Sequence, residues 1–372
     1  MADFSSLTLF RGTREQVTES ARRSADEWAR GLSLEQYVAR DVVLESNEHA
    51  NNGKLIVWVL APRDDPTTLD FMCSCETFRR TIALGTPSSP SGSLGVGYGV
   101  ASVFTPAHKR GKGYARHMMR LLHWVLAPRS ALPAFPSEWG LPPSQETAVG
   151  DAVVSVLYSD VGQFYKACGP TPDEVGWVID HPVSTEWNVP PTSAEQQVED
   201  GKWKGLTKAD CLALWATDAE LITRDVATAA HASGKPAFSY LPDKGLAQYV
   251  VERRMQFTAE MKPVYPPEPW GVQLVENGGP LTYATWTSEP GTKTMVLIRV
   301  RASAEVFPEL FDVVRKKAQQ LGFDTIEAWN APPELAKIAD GRTFERGEHL
   351  SAVKWYSKME LADHVQWLFN EK

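Results

Sequence analysis

Chemistry is most concentrated in VASVFTPAHKRGKGYARHMMRLL, residues 100 to 122, where an apolar run, a glycine-rich basic turn and an amphipathic segment follow one another. Val100, Ser102 and Phe104 on one face and Ala101 and Val103 on the other spell a strand that breaks at Pro106. From Tyr114 onward Ala115, Met118, Leu122 and Val125 recur at helical spacing with Arg116, Arg120 and His123 between them, which predicts a helix with one apolar face. Between the two lies Arg110-Gly111-Lys112-Gly113. Lacking a Cβ, Gly111 and Gly113 let the backbone curl close to a ligand, and the N–H groups that open the helix point at it. Lys109, Arg110, Lys112 and Arg116 add positive charge, so an anionic ligand is implied. A P-loop does not fit, because Gly113 is followed by Tyr114 and no hydroxyl is offered to magnesium. A dinucleotide fingerprint also fails: Gly-x-Gly is not extended by a third glycine.

The spacing Arg-x-x-Gly-x-Ala, here Arg110, Gly113 and Ala115 after a strand and before a helix, resembles the acetyl-CoA pyrophosphate loop of the GCN5-related N-acetyltransferases (GNAT). The resemblance implies acetyl-CoA as cosubstrate, held by Lys109, Arg110, Gly111, Lys112, Gly113, Tyr114, Ala115 and Arg116, with the pantetheine arm pairing to backbone within Val103, Phe104 and Thr105. Many relatives place a proline three residues before the arginine, whereas this chain has Ala107 there and Pro106 one residue earlier. The second half of the signature is VVSVLYSDVGQFYKACGP, residues 153 to 170: a β-branched strand leads through Tyr158-Ser159-Asp160 into a short helix with Phe164 and Tyr165. Tyr165 and Gly169 match the family's Tyr-x-x-x-Gly setting, where the tyrosine faces the acetyl-CoA sulfur. Attack on the thioester expels a thiolate whose thiol pKa is about 8.5, and a phenol of pKa about 10 can donate to it, so Tyr165 is the implied general acid. At the end of that strand, where the family often has an asparagine by the pantetheine arm, this chain has Ser159-Asp160, and the resemblance puts Asp160 beside the cofactor.

The base has to deprotonate the acceptor, since an alkyl amine of pKa about 10.4 is neutral in only about one molecule in a thousand near pH 7. Some relatives use a glutamate on the strand before the loop. Here Gly95 to Phe104 has no carboxylate, which leaves Glu76 in the preceding strand, Asp160, or a water chain.

At 372 residues the chain has room for about two domains, each with its own core. A net charge of −8 argues against a nucleic-acid ligand and makes the basic turn a local island, while acidic surroundings favour a cationic acceptor. No apolar run approaches the ~18 residues that would span a membrane, and the N-terminus lacks a signal-peptide pattern, so a cytoplasmic protein is expected. Four cysteines, Cys73, Cys75, Cys168 and Cys211, read as packing residues, with no metal site expected.

The elements that would position these residues follow from periodicity. A strand at Ser6 to Phe10, a helix at Arg14 to Leu32, a helical or loop segment at Leu34 to Asp41, and strands at Lys54 to Ala61 and Leu69 to Arg79 precede the motif strand. A proline-rich stretch, Pro128 to Gly150, separates the motif helix from the tyrosine strand, and a further strand lies at Glu174 to Asp180. An α+β GNAT fold is expected for 1–185, a mixed and mostly antiparallel sheet flanked by helices, then a linker at 186–200. Residues 201–372 repeat the order: helices at Thr207 to Arg224 and Leu246 to Lys262, strands at Gly271 to Val275, Leu281 to Thr287 and Thr294 to Arg301, the helix Glu305 to Leu321 and the strand Asp324 to Trp329. Arg301-Ala302-Ser303-Ala304 has no glycine, so this second half is expected to be a degenerate GNAT-like domain that binds no CoA and serves the acceptor site or a dimer contact, the alternative being an unrelated α+β domain.

PTTLDFMCSCETFRR together with the two motif segments resembles the fungal lysine N6-acetyltransferase family of lysine catabolism, over most of residues 1 to 185 and more weakly beyond. That resemblance implies acetyl transfer from acetyl-CoA to the ε-amine of free L-lysine. Acceptor identity drifts readily within a fold, so a polyamine, an aminoglycoside-like amine or a protein lysine stays open, as does a non-catalytic acyl-CoA sensor. A small-molecule amine partner and a monomer or homodimer are expected, without nucleic acid or membrane.

Overall fold

The computed structural model describes residues 3–191, 201–275, 279–331, 336–337, 340–356 and 365–369. In chain order the strands are β1 (Leu7–Arg11), β2 (Leu55–Pro62), β3 (Cys73–Gly85), β4 (Ser93–Phe104), β5 (Val154–Ser159), β6 (Val178–Ile179), β7 (Val183–Asn188), β8 (Trp203–Leu206), β9 (Ala237–Tyr240), β10 (Gln256–Phe257), β11 (Pro263–Val264), β12 (Gly271–Leu274), β13 (Tyr283–Ser288), β14 (Thr294–Arg301), β15 (Thr325–Trp329), β16 (Arg342–Glu345), β17 (Leu350–Trp355) and β18 (Gln366–Trp367). The α-helices are α1 (Arg14–Trp28), α2 (Leu34–Ser46), α3 (Tyr114–Leu126), α4 (Lys208–Ser233), α5 (Leu246–Glu252) and α6 (Phe307–Gln320).

The chain forms two compact units, one of residues 1–180, 226–240 and 347–367 and one of 181–225, 241–346 and 368–372. In the first, the sheet order is β1-β2-β3-β4-β5-β17-β6, with β9 beside the far half of β3 and β18 on β9. All neighbours on that path are antiparallel except β4 and β5. The second sheet runs β8-β12-β13-β14-β15-β7-β16, again antiparallel except for one central pair, β14 and β15. The plan is thus repeated, and in both units a helix, α3 or α6, follows the first strand of the parallel pair. This is the α+β architecture expected for the chain, with its second, GNAT-like half.

The strand between β5 and β6 is β17, from far downstream, whereas β7, which follows β6 in sequence, pairs with β15 and β16. The first sheet therefore takes β9, β17 and β18 from downstream of β7, while β7 joins the second sheet. β7 also runs into the beginning of the stretch 186–200 expected to be linker, of which 192–200 lies outside the described residues.

Local chemistry sets three of the helix ends. α1 and α2 each begin with a reciprocal capping box, Thr13 with Gln16 and Ser33 with Gln36. α1 stops at Trp28, short of the expected Leu32, because Arg30 and Gly31 take left-handed φ of 47° and 90°. α5 stops at Glu252 instead of Lys262, and the remainder becomes the β10–β11 hairpin. α3 buries Met118, Met119, Leu121, Leu122 and Val125 completely, against Trp58, Leu60, Tyr98 and Trp177 in the same core. At roughly 1.5–3 kcal/mol for each large side chain this anchors the helix start against the sheet. All four cysteines are free and buried. Among the described residues no helix is long and apolar enough to cross a membrane, and no His/Cys/Asp/Glu group could hold a metal ion.

Candidate active site

The site grows from a fork in the first unit's sheet. β4 pairs with β5 in parallel only from Gly97↔Val154 to Gly99↔Val156, although β4 continues to Phe104 and β5 to Ser159. Among the described residues no ladder joins the two strands beyond that point, so an extended amide-bearing ligand can pair with β4 along Val103, Phe104 and Thr105. β4 is also irregular on its other edge. Ala101 lies opposite Glu76 and Phe104 opposite Ser74, so three steps of β4 match two of β3. The extra residue is absorbed at Ser102, whose φ is 53°. Its hydroxyl donates to Glu76 Oε2 at 2.8 Å.

Glu76 is half-buried. Burial, reinforced by the carboxylates of Asp41 and Glu45, pushes its carboxyl up to about 7, against the opposing hydrogen bond from Ser102 and the charge of Arg40. Both negative neighbours come from α2, where Asp41, itself raised by burial, pairs with Arg40 at 2.9 Å. A carboxyl raised to about 7 can take up and release a proton near neutral pH, as a general base must.

At the end of β4 the turn carries two left-handed glycines, Gly111 with φ 76° and Gly113 with φ 85°. Gly113 caps α3 without any side-chain hydrogen bond, and α3 has no acidic residue in its first turn. The helix-opening N–H groups and positive dipole end thus present an anion site, flanked by exposed Lys112 and Arg116. Tyr114 and Ala115 are half-buried, and the Tyr114 ring packs edge-on against Phe4 with centroids 6.4 Å apart.

The other two cations of this run point elsewhere. Lys109 is only 7 % exposed, and its Nζ donates to the Asp70 carbonyl at 2.6 Å and pairs with the Asp70 carboxylate at 2.7 Å. Arg110 donates from Nε to the Thr105 carbonyl at 2.8 Å and pairs with Glu27 on α1. These side chains brace the turn, and the charge left for a ligand is that of Lys112 and Arg116.

On the β5 arm, residues Gly162–Ala167 form a single 3₁₀ segment that carries Tyr165. The half-buried ring meets Phe164 edge-on at 5.2 Å and Trp177 at 6.4 Å. The Tyr165 carbonyl accepts from the Cys168 and Trp177 N–H groups, each at 3.1 Å. Burial, with the negative forms of Cys168, Cys75 and Asp160 adding to it, holds the phenol well above its usual range, so it keeps its proton at neutral pH. Glycine is required nearby: a Cβ on Gly169 would stand 1.8 Å from the Glu174 carbonyl oxygen, and one on Gly176 2.3 Å from that of Tyr165.

Asp160 is engaged through Oδ1 by His349, whose N–H and Nδ1 lie 2.7 and 2.9 Å away. That hydrogen bond holds the Asp160 carboxyl below its ordinary value, unlike Glu76. Ser102 and His349 carry no sequence signal of their own; a bulge and a long-range strand pairing bring them in.

Known proteins agree with this architecture. Residues 186–372 match the family described as LYC1 GNAT-like C-terminal domain. A protein of Yarrowia lipolytica (strain CLIB 122 / E 150) named lysine acetyltransferase is 22 % identical over 362 residues, 89 % of this chain and 86 % of that protein. Among solved structures, a GCN5-related N-acetyltransferase of Anabaena variabilis ATCC 29413 is 12 % identical with a TM-score of 0.54, covering 94 % of this chain and 73 % of the other. A probable N-acyltransferase of Enterococcus faecalis V583 gives 8 % identity and a TM-score of 0.52, over 94 % of this chain and 73 % of the other. The glycine turn at a helix start, the forked sheet and the repeated strand plan thus meet the comparisons at one conclusion: the chain belongs to the LYC1-like family of GCN5-related N-acetyltransferases and is an acyl-CoA-dependent N-acetyltransferase.

Proposed function

We propose that this chain moves an acetyl group from acetyl-CoA to a primary amine, the ε-amine of free L-lysine, by direct attack on the thioester. The observation that carries the reading is the fork between β4 and β5, with Glu76, its carboxyl raised to about 7, on the strand beside β4 and Tyr165 on the segment that follows β5. Glu76, with its carboxyl near 7 beside Ser102, takes a proton from the acceptor ammonium. The freed amine attacks the acetyl carbonyl; the C–N bond forms as the C–S bond breaks, and the departing thiolate takes the Tyr165 phenolic proton. The acylated nitrogen gives up its second proton to solvent, which returns one to the Tyr165 phenolate and removes the one on Glu76. The N–H groups of Gly113, Tyr114, Ala115 and Arg116 hold the pyrophosphate, with Lys112 and Arg116 adding charge, while Val103 to Thr105 pair with the pantetheine amides. A lysine amine as acceptor is supported by the name of the Yarrowia relative, lysine acetyltransferase, and a cationic acceptor by Asp41 and Glu45, whose negative charge bears on Glu76.

Tyr165→Phe keeps the ring and removes the hydroxyl, so kcat is expected to fall about 10²-fold with little change in KM for acetyl-CoA. Wild-type turnover would move the acid role to water or another residue. Gly113→Val is expected to weaken acetyl-CoA binding about 10²-fold or more in a calorimetric titration. A β-branched residue is strained at φ 85°, and its Cβ would meet Phe4 Cζ at 3.1 Å. Lys112→Ala, which removes one exposed charge, should cost less than about tenfold. The acceptor is tested by CoA release with free lysine, a polyamine, an aminoglycoside and a lysine peptide. Preference for any of the last three rejects free lysine and leaves the transferase reading standing.

A further inference from the structure

Behind the Tyr165 segment lies a buried chain of hydrogen bonds that the reaction itself does not use. Trp177 Nε1 donates to Ser155 Oγ at 2.9 Å, Ser155 Oγ lies 2.9 Å from the Tyr356 hydroxyl, and that hydroxyl lies 2.8 Å from His123 Nδ1. His123 Nε2 lies 2.8 Å from the Cys168 carbonyl. Its direction follows from the groups at the ends. A carbonyl only accepts, so Nε2 carries the imidazole proton and Nδ1 accepts from Tyr356. An indole N–H only donates, so Ser155 accepts from Trp177 and passes its own proton to the Tyr356 oxygen. Every hydroxyl in the chain both donates and accepts. Burial depresses the His123 pKa to about 3, which keeps the ring neutral at working pH, and the Cys168 carbonyl then sets the tautomer.

Both ends of this chain grip the segment that carries Tyr165. The Cys168 carbonyl at one end is three residues beyond Tyr165, and Cys168 N–H donates to the Tyr165 carbonyl. At the other end Trp177 donates its main-chain N–H to the same carbonyl, sets its ring edge-on to Tyr165 and stacks on His123 at 4.3 Å. The hydroxyl at the middle belongs to the residue that follows β17, 201 positions from Ser155 in the sequence. The beginning of β17 is tied to the same arm, because His349 holds Asp160.

We propose that Tyr356 is a positioning residue for acetyl transfer: through His123 and Trp177 it holds the turn from Tyr165 to Cys168 and so aims the Tyr165 hydroxyl. The proposal rests on Tyr165 being the general acid. Tyr356→Phe keeps the packing ring, leaves His123 Nδ1 without its donor and Ser155 without its acceptor, and touches no ligand group. The expected result is a fall in kcat of about tenfold with KM for acetyl-CoA within about twofold, in a protein that elutes and binds acetyl-CoA like the parent. In a Tyr165→Phe background the same substitution should cost nothing further, since the hydroxyl it aims is already gone.

The outcomes separate the two ideas. Loss in Tyr165→Phe with full activity in Tyr356→Phe overturns the positioning role and keeps the acid. Full activity in Tyr165→Phe overturns both. Losses that multiply in the double variant show that Tyr356 acts on general stability, and also overturn the proposal. If Tyr356→Phe does not fold, Ser155→Ala replaces it, because it removes the donor to Tyr356 and leaves the Tyr356–His123 bond. The same lack of additivity with Tyr165→Phe is then expected, and multiplying losses again overturn the role.

Discussion

Glu76→Gln is expected to lower kcat/KM by about 10³-fold, near the upper end of what a positioned base contributes, while leaving acetyl-CoA affinity unchanged. Glutamine keeps the length and can still accept from the Ser102 hydroxyl, so only proton removal is lost. In the parent the base must be ionised, so activity should rise with pH through about 7, and below that fall about tenfold per pH unit. The variant should lose this limb. A stability signature accompanies it. The folded carboxyl titrates at about 7 against 4.5 for the free group, so the contribution of its neutral form is fully present below 4.5 and is lost as pH rises through about 7. Glutamine pays no such cost. Its melting temperature should therefore exceed the parent's by about 2–4 °C at pH 8, with the gap closing as pH falls toward 4.5. A variant that keeps both the turnover and the acid limb of the parent shows that proton removal belongs to another group.

The glycine turn was legible because its chemistry is local. Gly111 and Gly113 take the positive φ that their residue type permits, and the apolar spacing from Ala115 to Val125 gives a helix over the expected stretch. The fate of the basic side chains was not. Lys109 and Arg110 find partners in Asp70 and Glu27, 39 and 83 positions away, and sequence spacing cannot distinguish a cation kept for a ligand from one consumed by the fold. Glu76 stood out only because Gly95 to Phe104 lacks a carboxylate, and the bulge at Ser102 then supplies a hydrogen bond that no residue type announced. Strand pairing was the least legible. VSTEWN of β7 and LSAVKW of β17 can each form a strand, but which sheet each joins is decided by long-range register and packing.

That exchange of strands leads to the second large effect. A piece ending at residue 185 contains the glycine turn, Glu76 and Tyr165, yet it lacks β17, β9 and the end of α4. Without β17, the β5 edge from Val154 to Ser159 loses its whole antiparallel partner, and β6 loses its pairing through Ile179 and Val178. Without β9, the far end of β3 from Ile82 to Gly85 is open as well. Ala352 and Phe238, buried at 1 % and 0 % exposure, leave gaps, and His123 and Ser155 lose the Tyr356 hydroxyl. Unpaired edges and uncovered apolar surface of this kind favour association over folding. Residues 1–185 alone should therefore fail to bind acetyl-CoA and should elute as aggregate on size exclusion. Val353→Pro in the full chain tests the same dependence with one residue. Val353 lies between β5 and β6, opposite Val156 and Val178, where a proline deletes a donor and cannot be accommodated as on an edge. It is expected to abolish acetyl-CoA binding and turnover together. A soluble 1–185 piece with full cofactor affinity would show that the first sheet closes without its late strand.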